Sequence, residues 1–145
     1  MASRSLVLDF EHGKQETNAE MLEGISAQID EMAEGDDWSP KLVYLVQLCL
    51  EELALNAMTY GRETGLSEFQ VSITPDREEV VIEMHDNGAA FDPTKDAPIP
   101  DPAAAMDDRP VGGLGIFLIR EMVDDLTYRR EEGWNHLTIT IRRAQ

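Results

Sequence analysis

Three short clusters in this 145-residue chain carry side chains from which a phosphate-handling site could be built. The first is Glu52-Leu53-Ala54-Leu55-Asn56, a carboxylate and a carboxamide four residues apart. On a helix this spacing stacks the two on one face, a turn from each other, so both are expected to point into one cleft. An Asn oxygen is a hard, neutral ligand suited to Mg²⁺, which keeps several waters and shares phosphate oxygens with few protein ligands. A carboxylate one turn away can orient a water or accept the proton of an attacking hydroxyl. A solvent-facing stripe on an ordinary helix would carry the same residue types.

The second cluster is Asp86-Asn87-Gly88-Ala89-Ala90-Phe91-Asp92-Pro93. An ionised carboxylate only accepts hydrogen bonds, so Asp86 would accept one from the exocyclic amine of adenine and repel the carbonyl that guanine places there. Gly88 would let the backbone approach a base, and Phe91 would line the pocket or fill core. Asp-Asn-Gly is also a common turn. The third cluster is Gly112-Gly113-Leu114-Gly115. Its glycines permit unusual backbone angles, and the free amides of a helix start can hold phosphate oxygens, although a hinge would use the same glycines.

The elements that must position these groups follow from periodicity. Leu6, Leu8 and Phe10 alternate with Ser5, Val7 and Asp9 as in a strand. Asn18 caps a helix whose apolar residues Met21, Leu22, Ile25, Ile29 and Met32 recur at three- and four-residue intervals to a stop near Gly35. Ser39-Pro40 opens a second helix, Lys41 to Tyr60, which is apolar nearly all round and so belongs in a core. Two strands, Phe69 to Thr74 and Glu79 to Met84, are joined by the turn Pro75-Asp76-Arg77, and the second leads straight into Asp86. The proline-rich stretch from Thr94 to Pro110 reads as a mobile lid. A third helix through Ile116, Phe117, Ile119, Met122 and Val123 follows the glycines. Strands near Leu126 to Arg130 and His136 to Ile141 then close the chain around the turn Glu131-Glu132-Gly133. The expected architecture is α+β, a two-layer sandwich of helices on a mixed, mainly antiparallel sheet.

The net charge of −17, from 29 acidic and 12 basic residues, argues against a phosphate backbone as ligand and suits a basic partner protein or a solvated surface. The one cysteine, Cys49, can form no internal disulfide and no multi-cysteine metal site. His12, His85 and His136 show no metal-ligand spacing. No apolar run approaches the roughly 20 residues of a membrane helix, and no basic leader opens the chain, so neither membrane nor nucleic acid is expected as partner and the expected location is the cytoplasm.

In this order and setting the three clusters resemble the ATP site of the gyrase/Hsp90/histidine-kinase/MutL (GHKL) superfamily. Glu52 to Asn56 with Ala57 and Tyr60-Gly61 is similar to its N box, Asp86 to Pro93 to its G1 box, and Gly113 to Gly115 to its G2 box. The tight Gly112-Gly113-Leu114-Gly115-Ile116-Phe117-Leu118-Ile119-Arg120, the Phe91-Asp92-Pro93 and the length resemble its anti-sigma-factor serine/threonine kinase branch. The resemblance implies a Bergerat fold over residues 1–145 with an ATP lid at 94–111, and ATP or ADP bound with Mg²⁺. It further implies transfer of the γ-phosphoryl group to a serine or threonine of a small anti-anti-sigma-type (STAS-like) protein in a partner-switching pathway. A sigma factor as second partner and a homodimer stay open.

Carried over by position, Asn56 holds the metal, Glu52 is the candidate catalytic base, Asp86 reads adenine, Gly88 and Phe91 shape the base pocket, and Gly112, Gly113, Leu114 and Gly115 adjoin the phosphates. Tyr60 stands where this branch often has His, and the acidic first helix lacks the basic residue that sigma-binding members use. Lys95, Arg109 and Arg120 are the cations that could meet a developing phosphate charge. The alternative to a kinase is a nucleotide-dependent protein-binding module that transfers no phosphate. A histidine-kinase catalytic domain fits less well, because no dimerisation helix precedes Leu42, and gyrase- or Hsp90-like ATPases need further domains.

Overall fold

The computed structural model describes residues 6–11, 18–63, 68–95 and 113–143. Strand β1 (Leu6–Glu11) is followed by helices α1 (Asn18–Gly35) and α2 (Pro40–Glu63), strands β2 (Glu68–Pro75) and β3 (Glu79–Asp86), helix α3 (Gly113–Met122) and strands β4 (Asp125–Glu131) and β5 (Trp134–Arg142). The five strands form one sheet in the order β1-β2-β3-β5-β4. Each described pairing is antiparallel, so the expected mixed character is absent among the described strands.

Alternation divides the sheet into two faces. Val80, Ile82 and Met84 of β3 and Leu137, Ile139 and Ile141 of β5 are buried against the helices. Their odd and even neighbours, among them Glu83, His85, His136 and Thr138, turn to the other face, as the burial patterns of β3 and β5 show. The helices complete the core with Ile25 and Ile29 from α1, Val46, Cys49, Leu50 and Leu53 from α2, and Ile116 and Ile119 from α3. Burial pushes the Cys49 thiol up to about 12, which removes it from thiolate chemistry. No helix among the described residues is long and apolar enough to cross a membrane.

Local chemistry fixes the element ends. Ser39 caps α2, its hydroxyl accepting the Leu42 amide at 3.2 Å, with Pro40 in the first helical position. Helix α1 ends in a Schellman arrangement in which the Trp38 amide donates to the Ala33 carbonyl at 3.1 Å across a left-handed Asp37 (φ 53°). The helix stops at Gly35, as the sequence pointed to, and the left-handed turn follows two residues later, next to buried Trp38. The β2–β3 turn is closed by Asp76, whose carboxylate accepts the Glu78 and Glu79 amides at 2.8 Å each. Arg143 joins this turn to the α1–α2 connection, donating to the Asp76 carbonyl, the Asp36 carboxylate and the Asp36 carbonyl. In the β4–β5 hairpin Glu131 pairs with Trp134, leaving Glu132 (φ 50°) and Gly133 (φ 83°) as a two-residue turn of type I′.

Candidate functional site

Strand β3 presents alternate residues to the helices, and the parity that buries Val80, Ile82 and Met84 brings Asp86 to the same face at the strand's end. Here the sheet and α2 diverge around a pocket. Its floor and walls are apolar, from Leu53 of α2, Phe69, Met84 and Leu137 of the sheet, and Ala89, Ala90, Phe91 and Pro93 of the loop after β3. Polar groups enter it at Asn56, Asp86, Tyr128 and Asn135. An apolar slot with few convergent polar groups is the common form of a small-molecule site.

The loop after β3 is held at many points. Asp86 Oδ1 accepts the Gly88 amide at 3.0 Å and the Asn135 side-chain amide at 2.9 Å, while Oδ2 meets no donor among the described residues. Asn87 exchanges two bonds with Glu68 at the start of β2, its amide donating to the carbonyl at 3.3 Å and its side-chain oxygen accepting the Glu68 amide at 2.9 Å. Asp92 closes the following turn by accepting the Thr94 amide at 2.8 Å and the Thr94 hydroxyl at 2.5 Å. Asp86, Gly88 and Phe91 thus come together in one pocket with Asn56.

Glu52 is not in that pocket. It borders a separate shallow groove with Leu22, Glu23 and Ser26 of α1 and Glu51 and Leu55 of α2. Its carboxyl group lies against the backbone of Gly115, in the space a β-carbon there would occupy. Among the described residues Glu52 and Asn56, expected in one cleft, thus line two different surfaces of α2. Four residues of helix give about 40° of rotation and about 6 Å of rise, enough to leave Asn56 under the sheet end and Glu52 under the start of α3. Burial, and next the charge of Glu51, hold the Glu52 carboxyl above its ordinary range, which makes it the stronger base.

Gly113 opens α3 as expected and Gly115 is buried in its first turn, whereas the side chain of Leu114, all of Gly112, Arg109 and His12, and residues 96–111 of the lid expected at 94–111 lie outside the described residues. Lys95 and Arg120 are exposed. On the opposite sheet face His85 and His136 are cross-strand partners with Nδ1 atoms 2.6 Å apart. Burial, then the neighbouring His136, lowers the pKa of His85, and neither ring lines the pocket.

The histidine kinase-like ATPase domain model matches residues 16–141, a span that contains α1, α2, the pocket, α3 and the closing hairpin. The chain belongs to that family. Serine/threonine-protein kinase BtrW of Bordetella bronchiseptica is 36% identical to it over 113 residues, 77% of this chain and 79% of the relative. The resemblance carried by the three motifs, and the α+β fold it implied, are borne out.

For a histidine kinase-like ATPase domain the donor set fits a nucleotide base. An apolar slot accepts a planar ring, and Asp86 Oδ2 offers a carboxylate oxygen without a described protein donor. Asn56, without a hydrogen-bond partner among the described residues, suits a magnesium ion better than a transition metal. Sequence reasoning missed Tyr128, Arg130 and Asn135, which surround Asp86 from the β4–β5 hairpin. The signal that could have found Asn135 is register, because β3 and β5 pair it directly with Asp86.

Proposed function

We propose that this chain is an ATP-dependent serine/threonine protein kinase of the anti-sigma-factor type, acting on a small STAS-like antagonist protein in a partner-switching pathway. The observation that carries the reading is Asp86, an acceptor at the mouth of an apolar slot, with Oδ1 already engaged. The kinase that is 36% identical over 113 residues supports the choice of enzyme class.

In this reading Asp86 accepts the adenine amine, Gly88 and Phe91 border the ring, Asn56 supplies an oxygen to Mg²⁺, and the free backbone amides at the start of α3, from Gly113 to Gly115, serve the phosphates. Mg²⁺ held there would neutralise phosphate charge. Glu52 takes the proton of the attacking serine or threonine hydroxyl as its oxygen bonds to the γ-phosphorus and the bond to the ADP oxygen breaks. A carboxyl whose proton affinity is raised by burial suits that task.

A second reading, a nucleotide-dependent binding module without transfer, is favoured by one observation: Glu52 packs on Gly115 and stands outside the pocket that holds Asn56. Calorimetry of Mg-ATP against Mg-GTP, with Asp86→Asn and Asn56→Ala, tests the site. Selective ATP binding lost in Asp86→Asn supports it, and failure of the folded wild type to bind ATP refutes it. Transfer of labelled γ-phosphate to a STAS-domain protein, abolished in Glu52→Gln, separates kinase from module.

A further inference from the structure

Asn135 is the one buried polar residue among the described residues, 6% exposed, and it sits in a strand whose other inward residues are Leu137, Ile139 and Ile141. A buried amide must satisfy two donors and two acceptor sites, or it costs stability. Asn135 satisfies all four. Its Nδ2 donates to Asp86 Oδ1 and to the Ala89 carbonyl at 2.9 Å each, with the Gly88 carbonyl at 3.5 Å. Its Oδ1 accepts the Tyr128 hydroxyl at 2.5 Å and an Arg130 N–H at 3.1 Å. Three acceptors on one side and two donors on the other fix which end is nitrogen. Arg130 also donates to the Gly88 carbonyl at 2.7 Å, so the β4–β5 hairpin grips the loop after β3 twice.

We propose that Asn135, seconded by Arg130 and Tyr128, is a positioning residue for base selectivity: it occupies Asp86 Oδ1 and anchors the Gly88-Ala89 backbone, leaving Oδ2 as a fixed acceptor aimed into the slot. The inference rests on the nucleotide reading above and deepens it. A carboxylate free to rotate could offer either oxygen, or draw water in, and would discriminate less between an amine and a carbonyl. One with Oδ1 saturated by two N–H groups presents a single orientation. Tyr128 remains a hydroxyl donor, because burial raises its pKa.

Two measurements on the full chain test this. Without nucleotide, hydrogen exchange of the Gly88 amide reports the clamp directly, since that amide donates to Asp86 Oδ1. Asn135→Ala, and Arg130→Met as a variant at an exposed position in case the first fails to fold, are expected to speed it by about tenfold while core amides in β3 stay protected. Unchanged Gly88 protection in folded variants overturns the proposal whatever nucleotide does. With nucleotide, the preference for Mg-ATP over Mg-ITP, which has a carbonyl in place of the amine, is expected to fall by about tenfold. Equal weakening of both nucleotides would mean a structural role only and also overturns it. A wild type that binds neither nucleotide refutes the nucleotide reading, and selectivity with it, while faster Gly88 exchange in the variants still demonstrates the clamp itself.

Discussion

The carboxyl group of Glu52 fills the space that a β-carbon on Gly115 would need, so α2 and α3 meet through a side chain on one helix and bare backbone on the other. Alanine is a better helix former than glycine by about 1 kcal/mol, and the blocking atoms are the mobile end of a Glu side chain. Gly115→Ala is therefore expected to keep stability within about 1 kcal/mol in urea unfolding. Phosphoryl transfer should nevertheless fall by about a hundredfold, because the carboxylate is pushed from its place. Loss of stability with unchanged transfer would contradict this.

Glu52 itself carries a pH signature. Its folded proton affinity is raised above the ordinary value of 4.5 by burial and by Glu51. The stability it contributes is fully present below that value and is lost as pH rises through the folded pKa. At pH 7 the ionised group is a liability. Glu52→Gln should melt at a higher temperature than wild type near neutrality, with the difference vanishing toward pH 4, and should lose about a hundredfold or more of any transfer. Melting curves at several pH values and a transfer assay check both halves.

Among the described residues two non-glycine residues sit in the left-handed backbone region, Asp37 at φ 53° and Glu132 at φ 50°. Asp37→Gly at the end of α1, and Glu132→Asn, which makes the preferred Asn-Gly turn, should each stabilise by about 0.5–1 kcal/mol. Urea midpoints shifted upward with unchanged slopes would bear this out; a downward shift would show other contacts governing these positions.

Arg143 and Asp36 form an ion pair at 2.7 Å, their side chains only 16% and 12% exposed. Removing the guanidinium leaves Asp36 with the Trp38 indole N–H and strips the β2–β3 turn of its tie. Arg143→Met should cost about 1–3 kcal/mol, most of it absent when Asp36→Asn is already present. Additive costs in this double-mutant cycle would deny the pair.

The elements were legible because each has a period and an end. Ser39-Pro40 announced α2, and alternating Val80, Ile82 and Met84 delivered Asp86 to the inner face. The pocket was legible through Asp86, Gly88, Phe91 and Asn56, which lie on neighbouring elements. The contact of Glu52 with Gly115 was not legible, because periodicity gives the face of a helix and not the neighbour that covers it. Asn135 was hidden for a related reason: a polar residue between Trp134 and His136 acquires meaning only when the strands are set in register, and then it stands opposite Asp86.

Cys49, the chain's single thiol, lies fully buried in the middle of α2, one turn from Leu53 and two from Asn56. It makes the protein a self-contained stopwatch. A thiol reagent can reach it only when the helical layer parts from the sheet, so labelling speed counts openings of the same helix that borders the Asp86 pocket. Any occupant of that pocket would be registered from inside the fold, without an added tag or a known partner.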